Sequence, residues 1–428
     1  MKGYDFDADL ILTELRAGRI SRRQALKALG AAGIGASMIS LIADGALADS
    51  AQPMGPGGIP LARQDHPVTL PLHEEPIKSG LQPETGGTFR LFNYQDYFDK
   101  KLIDEFGKKF NVKMELTTFD SMAQAITRLA SHAVQPDATN INIDRIAQAV
   151  AGKLIKPINL DYIPNLKANI WPALHSPFYD VGSRYTVPYT TYATGIGWRA
   201  DKISEDIAKM DNPWEIFWKS EKYKGYVGVL DDARESLSMA MLYRGFYDIN
   251  TEDPKVIDKA LADLMAMIPI CNPKINITEY QTLAKGESWL HQSWSGDLLG
   301  AYFNYLPAGD DGSSLRFWSP AKGKGAMQND CWAILANTKK PVLAHLWLNY
   351  LLDKDVAYRN FTGFTGYQPP QVSITADSLI QAKVLPENLR TAIFTSDGFG
   401  AGSLQLSALT SNGQALWQKA YARFNSGV

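Results

Sequence analysis

Cysteine is scarce: two residues, Cys271 and Cys331, in a chain of 428. That is too few for a disulfide scaffold, and buried free thiols are the expectation. Long apolar runs are missing too. No uncharged stretch reaches the ~20 residues of a membrane-spanning helix, which excludes a multi-pass membrane protein. Charge of one sign is not in excess, since 43 basic and 45 acidic residues leave a net charge of -2. Without basic clusters, a nucleic-acid partner is not expected. Catalytic signatures are equally absent. There is no G-x-S-x-G elbow and no phosphate loop. Ser293-Trp294-Ser295-Gly296 is only a fragment of an elbow. The six histidines are scattered without H-E-x-x-H spacing, so neither a metal site nor a cofactor is called for.

What is present starts at the N-terminus. Arg22-Arg23 precedes an uncharged, weakly apolar run from Ala28 to Ala43, and Ala46-Leu47-Ala48 follows as a cleavage pattern. These parts in this order predict a twin-arginine export signal over residues 1–48 and a periplasmic destination. Residues 49–87 are rich in Pro and Gly and read as a tether or a segment wrapped over the surface. The body begins at Thr88. Strands are expected at 88–92, 112–118 and 138–143, with helices at 102–110 and 121–132 between them. A second strand–helix block covers 226–230 and 233–246, with further helices at 254–267 and 340–352. Two separate extended segments, 185–189 and 194–198, lie between the blocks. Strands alternating with helices predict an α/β fold in two lobes. In open α/β sheets ligands bind beyond the C-terminal strand ends.

Three clusters stand at such ends: Asn93-Tyr94-Gln95-Asp96-Tyr97, Asp231-Asp232-Ala233-Arg234-Glu235, and Asn329-Asp330-Cys331-Trp332. Asp232 also suits a helix N-cap, and Glu235 suits a first helical turn. Yet the two share a helix face, and paired carboxylates at a cleft mouth attract a cation. Tyrosine and tryptophan faces hold ammonium groups by cation–π attraction. Acids with aromatic walls are the chemistry of an amine receptor.

With these clusters in view, the chain from about Phe89 resembles the periplasmic solute-binding proteins of ABC importers, in their spermidine/putrescine branch. The resemblance rests on Leu91-Phe92-Asn93-Tyr94-Gln95-Asp96-Tyr97, Tyr185 to Tyr189, Ala193 to Gly197, Leu230 to Glu235, and Gly363 to Pro370. It implies a two-lobed, type II-like binding-protein fold with the ligand in the cleft. Lobe one would take 88–200 and 331–372, and lobe two 201–330 and 373–428. By position it implies ligand contacts from Tyr94, Tyr97, Asp232, Glu235, Trp294, Asp330 and Tyr367. Asn142, Tyr189, Asp297 and Gln328 are secondary candidates. It further implies a monomer that is not an enzyme. It would capture a small cationic solute and deliver it to an inner-membrane permease. Gln328 stands where the family's polyamine receptors carry a second tryptophan, so one aromatic wall is missing while the acids remain. A receptor of the same fold for a sugar or amino-acid derivative, and an exported α/β enzyme, are the alternatives.

Overall fold

The computed structural model describes residues 53–399 and 402–428. The twin-arginine segment and its cleavage pattern lie outside the described residues. Nine strands among the described residues form one sheet, in the order β2 (Lys113–Phe119), β1 (Thr88–Tyr94), β3 (Ala138–Asn142), β9 (Met327–Ile334), β4 (Thr186–Arg199), β7 (Leu290–Trp294), β5 (Val227–Leu230) and β6 (Lys274–Asn276), with β8 (Leu315–Trp318) added on β4. Strand β1 (Thr88–Tyr94) pairs in parallel with β2 (Lys113–Phe119) and β3 (Ala138–Asn142). Helix α1 (Lys100–Phe110) joins the first two strands. Asp99 caps it by accepting from the Lys101 N–H at 2.8 Å, and Asn111 ends it in the left-handed region. Its Leu102, Ile103 and Phe106 repeat at helical spacing and are buried.

Strand β4 (Thr186–Arg199) is what makes the molecule two-lobed. Its first half pairs with β9 (Met327–Ile334), and its second half with β7 (Leu290–Trp294) and β8 (Leu315–Trp318). The two extended segments expected from sequence are thus one strand. Every residue before Arg199 is buried, so no polar alternation marks its course. Its register shifts between Pro188 and Thr190, which re-aims the side chains that follow. The second half of the sheet continues through β7 to the parallel strands β5 (Val227–Leu230) and β6 (Lys274–Asn276). Helix α2 (Ala233–Tyr243) follows β5 directly. It packs in an apolar cluster with the helices Pro254–Cys271 and Ser411–Asn425. Both cysteines are buried free thiols.

The Pro/Gly-rich segment is wrapped, not loose. Ile59, Val68 and Leu70 are buried in one cluster with Phe92, Phe119 and Tyr179. Val68 donates its N–H to the Phe178 carbonyl, and the Tyr185 hydroxyl donates to the Pro71 carbonyl. Leu70 is 1% exposed. Leu70→Ala should therefore lower stability by about 2–5 kcal/mol, the usual cost of emptying a packed site. Urea unfolding would read it, and an unchanged midpoint would mean the strap contributes nothing to the fold.

Candidate functional site

The short turns after the parallel strands and the middle of β9 bring a set of acids and aromatic rings to one place. Tyr94 is the last residue of β1, and its hydroxyl donates to Asn142 Oδ1 at 2.9 Å. Asp144 stands two residues beyond β3, in a tight turn. Asp232 stands two residues beyond β5 and caps α2, accepting from the Arg234 and Glu235 N–H groups at 2.8 and 3.0 Å. Glu235 lies in the first turn of α2 and is buried. Trp294 closes β7, and its indole N–H donates to Glu235 Oε1 at 3.0 Å.

Asp330 sits differently from expectation. It lies in the middle of β9, opposite Asn142 on one side and Thr190 on the other, and not at a strand end. Tyr97 donates to Asp330 Oδ2 at 2.7 Å, and Tyr192 reaches Oδ1 at 3.4 Å. Tyr97 also contacts the Thr190 hydroxyl at 2.6 Å. The rings form a continuous edge-to-face array. Tyr367 meets Tyr97 at 5.0 Å and Tyr192 at 5.4 Å, Tyr94 meets Tyr97 at 5.8 Å, and Tyr192 meets Trp294 at 6.2 Å. Gly296 makes room for this. A Cβ there would lie 2.4 Å from the Tyr367 ring, so only glycine lets the ring rest on the backbone.

Burial sets the electrostatics. The carboxyls of Asp330 and Glu235 are each pushed up to about 7, chiefly by desolvation. The neighbouring charge of Asp144 adds to the rise at Asp330, and that of Asp232 at Glu235. Asp232 is raised by the same burial and held back by its two backbone donors. Asp144 raises Tyr94, Asp232 and Asp330 alike, which places it at the same pole. Nearby Arg234 hydrogen-bonds Asn250 and the carbonyls of Ser407 and Ile249, and its charge limits the rise at Asp232 and Glu235. A second pole lies past the aromatic array. There Asp297 faces Tyr367 and Glu279, and burial pushes its carboxyl up.

The seven principal sequence candidates therefore come together. Of the secondary ones, Asn142 holds Tyr94 and Asp297 forms the far pole. Tyr189 stands behind the site: its hydroxyl donates to the Tyr97 carbonyl and accepts from Asn360 at 2.9 Å. Gln328 uses its side-chain oxygen to accept the Leu406 N–H at 3.2 Å. Sequence reasoning missed Tyr192, Thr190, Asp144 and Glu279. Asp144 had a signal, because it directly follows an expected strand. Tyr192 had only a weak one, an unbroken run of extended residues. Among the described residues no group of His, Cys, Asp and Glu is arranged to hold a metal ion, and no helix is long and apolar enough to cross a membrane.

Residues 101–387 match the family model of the bacterial extracellular solute-binding proteins. The chain belongs to this family. Its role is to bind a small solute outside the cytoplasm for an ABC importer, whose permease is the implied partner. The spermidine/putrescine-binding periplasmic protein of Escherichia coli is 27% identical over 301 residues, 69% of this chain and 81% of that one. The putrescine/agmatine-binding protein of Pseudomonas aeruginosa is 25% identical over 347 residues, 79% of this chain and 91% of the relative. These relatives are transport binding proteins. A spermidine/putrescine ABC transporter substrate-binding protein from Streptococcus pneumoniae has a TM-score of 0.63 at 19% identity. That match covers 80% of this chain and 99% of the other, and it supports the two-lobed fold.

Proposed function

We propose that this solute-binding protein captures a linear diamine or polyamine by closing its lobes around it. One observation carries the reading. The carboxyls of Asp232, Glu235 and Asp330 come from both halves of the sheet into one aromatic-walled place, with Asp144 at its edge, paired to Arg145 at 3.2 Å. Mutual repulsion and desolvation both oppose that arrangement. An ammonium group offsets both, so the cation favours the closed state over the open one. Tyr94, Tyr97, Tyr192, Trp294 and Tyr367 would line the methylene chain and add cation–π attraction of ~0.5–2 kcal/mol each. Tyr192 stands opposite Gln328 in the ladder, in contact with Trp294 and Tyr367. It is our candidate for the wall that a tryptophan at 328 would have made.

On this reading Asp297 receives the ligand's far amino group. The lobes divide at 88–200 with 331–372 and 201–330 with 373–428. The protein works as a monomer, is exported by the twin-arginine pathway and catalyses no reaction. Calorimetric titration of the chain from Asp49 with putrescine, spermidine and agmatine, with glycine betaine and a sugar as controls, tests the ligand class. One-to-one saturable binding of an amine is the expected result. Heat from the sugar alone would replace the amine by a neutral solute, and silence for all would end the reading.

A further inference from the structure

The far pole holds two carboxyls where one would suffice. Glu279 opens the helix Glu279–Lys285, and its side chain is completely buried. Its Oε1 accepts weakly from the Trp294 backbone N–H at 3.4 Å. Its Oε2 meets no N–H or hydroxyl donor. The charged side chain that acts on it is another carboxyl, that of Asp297, which is 8% exposed. Two carboxylates cannot hydrogen-bond each other. A hydrogen bond between them requires a proton on one, and burial together makes double ionisation costly.

The proton's place follows from the partners. Tyr367 and Glu279 both favour the ionised form of Asp297. Glu279 is raised well above the ordinary carboxyl range by burial and by the Asp297 charge. No cation opposes this among the groups that act on it. The charged and titratable groups around are Asp297 on the next helix, Tyr367 on its loop, and Tyr280 and Tyr305 nearby. Both of these feel Asp96 and Asp297. Arg199, at the far end of the same helix, binds the Leu283 and Ala284 carbonyls and pairs with Asp201 and Asp310.

We propose that Glu279 is a positioning residue. It keeps its proton and points it at the Asp297 carboxylate as a hydrogen-bond donor, leaving this end of the cleft one negative charge aimed at one ammonium group. This rests on the amine-receptor reading for the ammonium, but the shared proton does not. Glu279 touches no ligand itself. It fixes the direction of the one acid that would. It also keeps the two poles unequal: several acids at the Asp330 end, a single charge at the Asp297 end.

Two variants and two readouts test it. Glu279→Gln retains a donor toward Asp297, and Glu279→Leu removes it at similar volume. With putrescine at pH 8, the Gln variant should bind within ~3-fold of the parent. The Leu variant should bind at least ~10-fold more weakly. Butylamine, which needs one pole only, should lose less than putrescine in the Leu variant. A Gln variant as weak as the Leu one would mean that the Glu279 charge is used, and would overturn the proposal. Equal binding by all three proteins would reduce the pair to packing and overturn it too. Should the Leu variant not fold, infrared spectroscopy decides on the ligand-free protein. A protonated-carboxyl band should persist at pH 9 in the parent and in Asp330→Asn, and vanish in Glu279→Gln. Its absence from the parent would refute the shared proton whether or not any amine binds.

Discussion

Asp330→Asn is expected to weaken putrescine binding by about 200- to 5000-fold and, at pH 8, to make the ligand-free protein more stable. The first effect comes from removing the carboxylate at the centre of the acidic pole. Taking one partner from a buried charge pair costs about 3–5 kcal/mol, because the other charge stays desolvated and unpaired. The second effect has the opposite sign for the same physical reason. Asp330 sits at about 7 in the folded chain, against about 3.9 for an unfolded aspartate. Between those values the folded chain holds a proton that the unfolded chain has released. The stability of the ligand-free protein therefore falls as pH rises from about 4 to about 7, and stays low above. Asparagine has no charge to bury, so the Asp330 share of this slope disappears while that of Glu235 remains. The gain at pH 8 should be on the order of 1–3 kcal/mol, because Tyr97 and Tyr192 keep only part of their hydrogen bonding. Calorimetry gives the binding loss, and thermal unfolding at pH 5 and pH 8 gives the stability change. An unaltered affinity would take Asp330 out of the site. A destabilised variant at pH 8 would mean that its hydrogen bonds outweigh its burial cost.

Such opposition marks a group kept for binding and not for folding. Asp232 is a useful contrast. Its Oδ1 caps α2, so it serves the fold with one oxygen while its charge stays at the pole. A carboxylate just after a strand and just before a helix is readable in both roles from sequence, and both roles are present.

Legibility elsewhere follows the range of the interaction. Local signals, such as the apolar spacing of α1, its Asp99 cap and the strand before Asp232, place each element within a few residues. The same logic reaches Asp144, which follows a strand as directly as Asp232 does. Strand β4 is harder, because a strand buried on both faces has no alternation to read. Its turnless run from Thr186 to Arg199 looked like two pieces. The positions of Tyr192 and Asp330 depend on a shifted register between strands more than 130 residues apart, and no local pattern encodes that. Glu279 is the extreme case. In sequence it is an unremarked acid at a helix start, and only the fold sets it against Asp297.

Binding should also depend steeply on pH, by about 100-fold between pH 6 and pH 8, with tighter binding at the higher pH. Glu235 and Asp330 both sit at about 7 in the ligand-free protein. Each must be ionised to hold an ammonium group, so below pH 7 the ligand must displace a proton from each. One group contributes about tenfold across this interval, and two contribute about a hundredfold. Alkyl ammonium groups, like the lysine side chain near 10.4, stay charged throughout, so the slope belongs to the protein. Above pH 8 both acids are already ionised and the affinity should level off. Glu235→Gln should retain about half of the logarithmic slope, at a lower affinity throughout. Titrations from pH 5.5 to 9 at constant ionic strength would show it, and calorimetry in two buffers of different ionisation enthalpy would count the protons released. A neutral solute gives a much shallower rise, since it gains only hydrogen bonds from the ionised carboxyls and no charge pairing. An affinity that stays flat from pH 6 to pH 8 would therefore count against the amine and the acidic pole together. A steep rise with protons released would tie the two acids to the cation they hold.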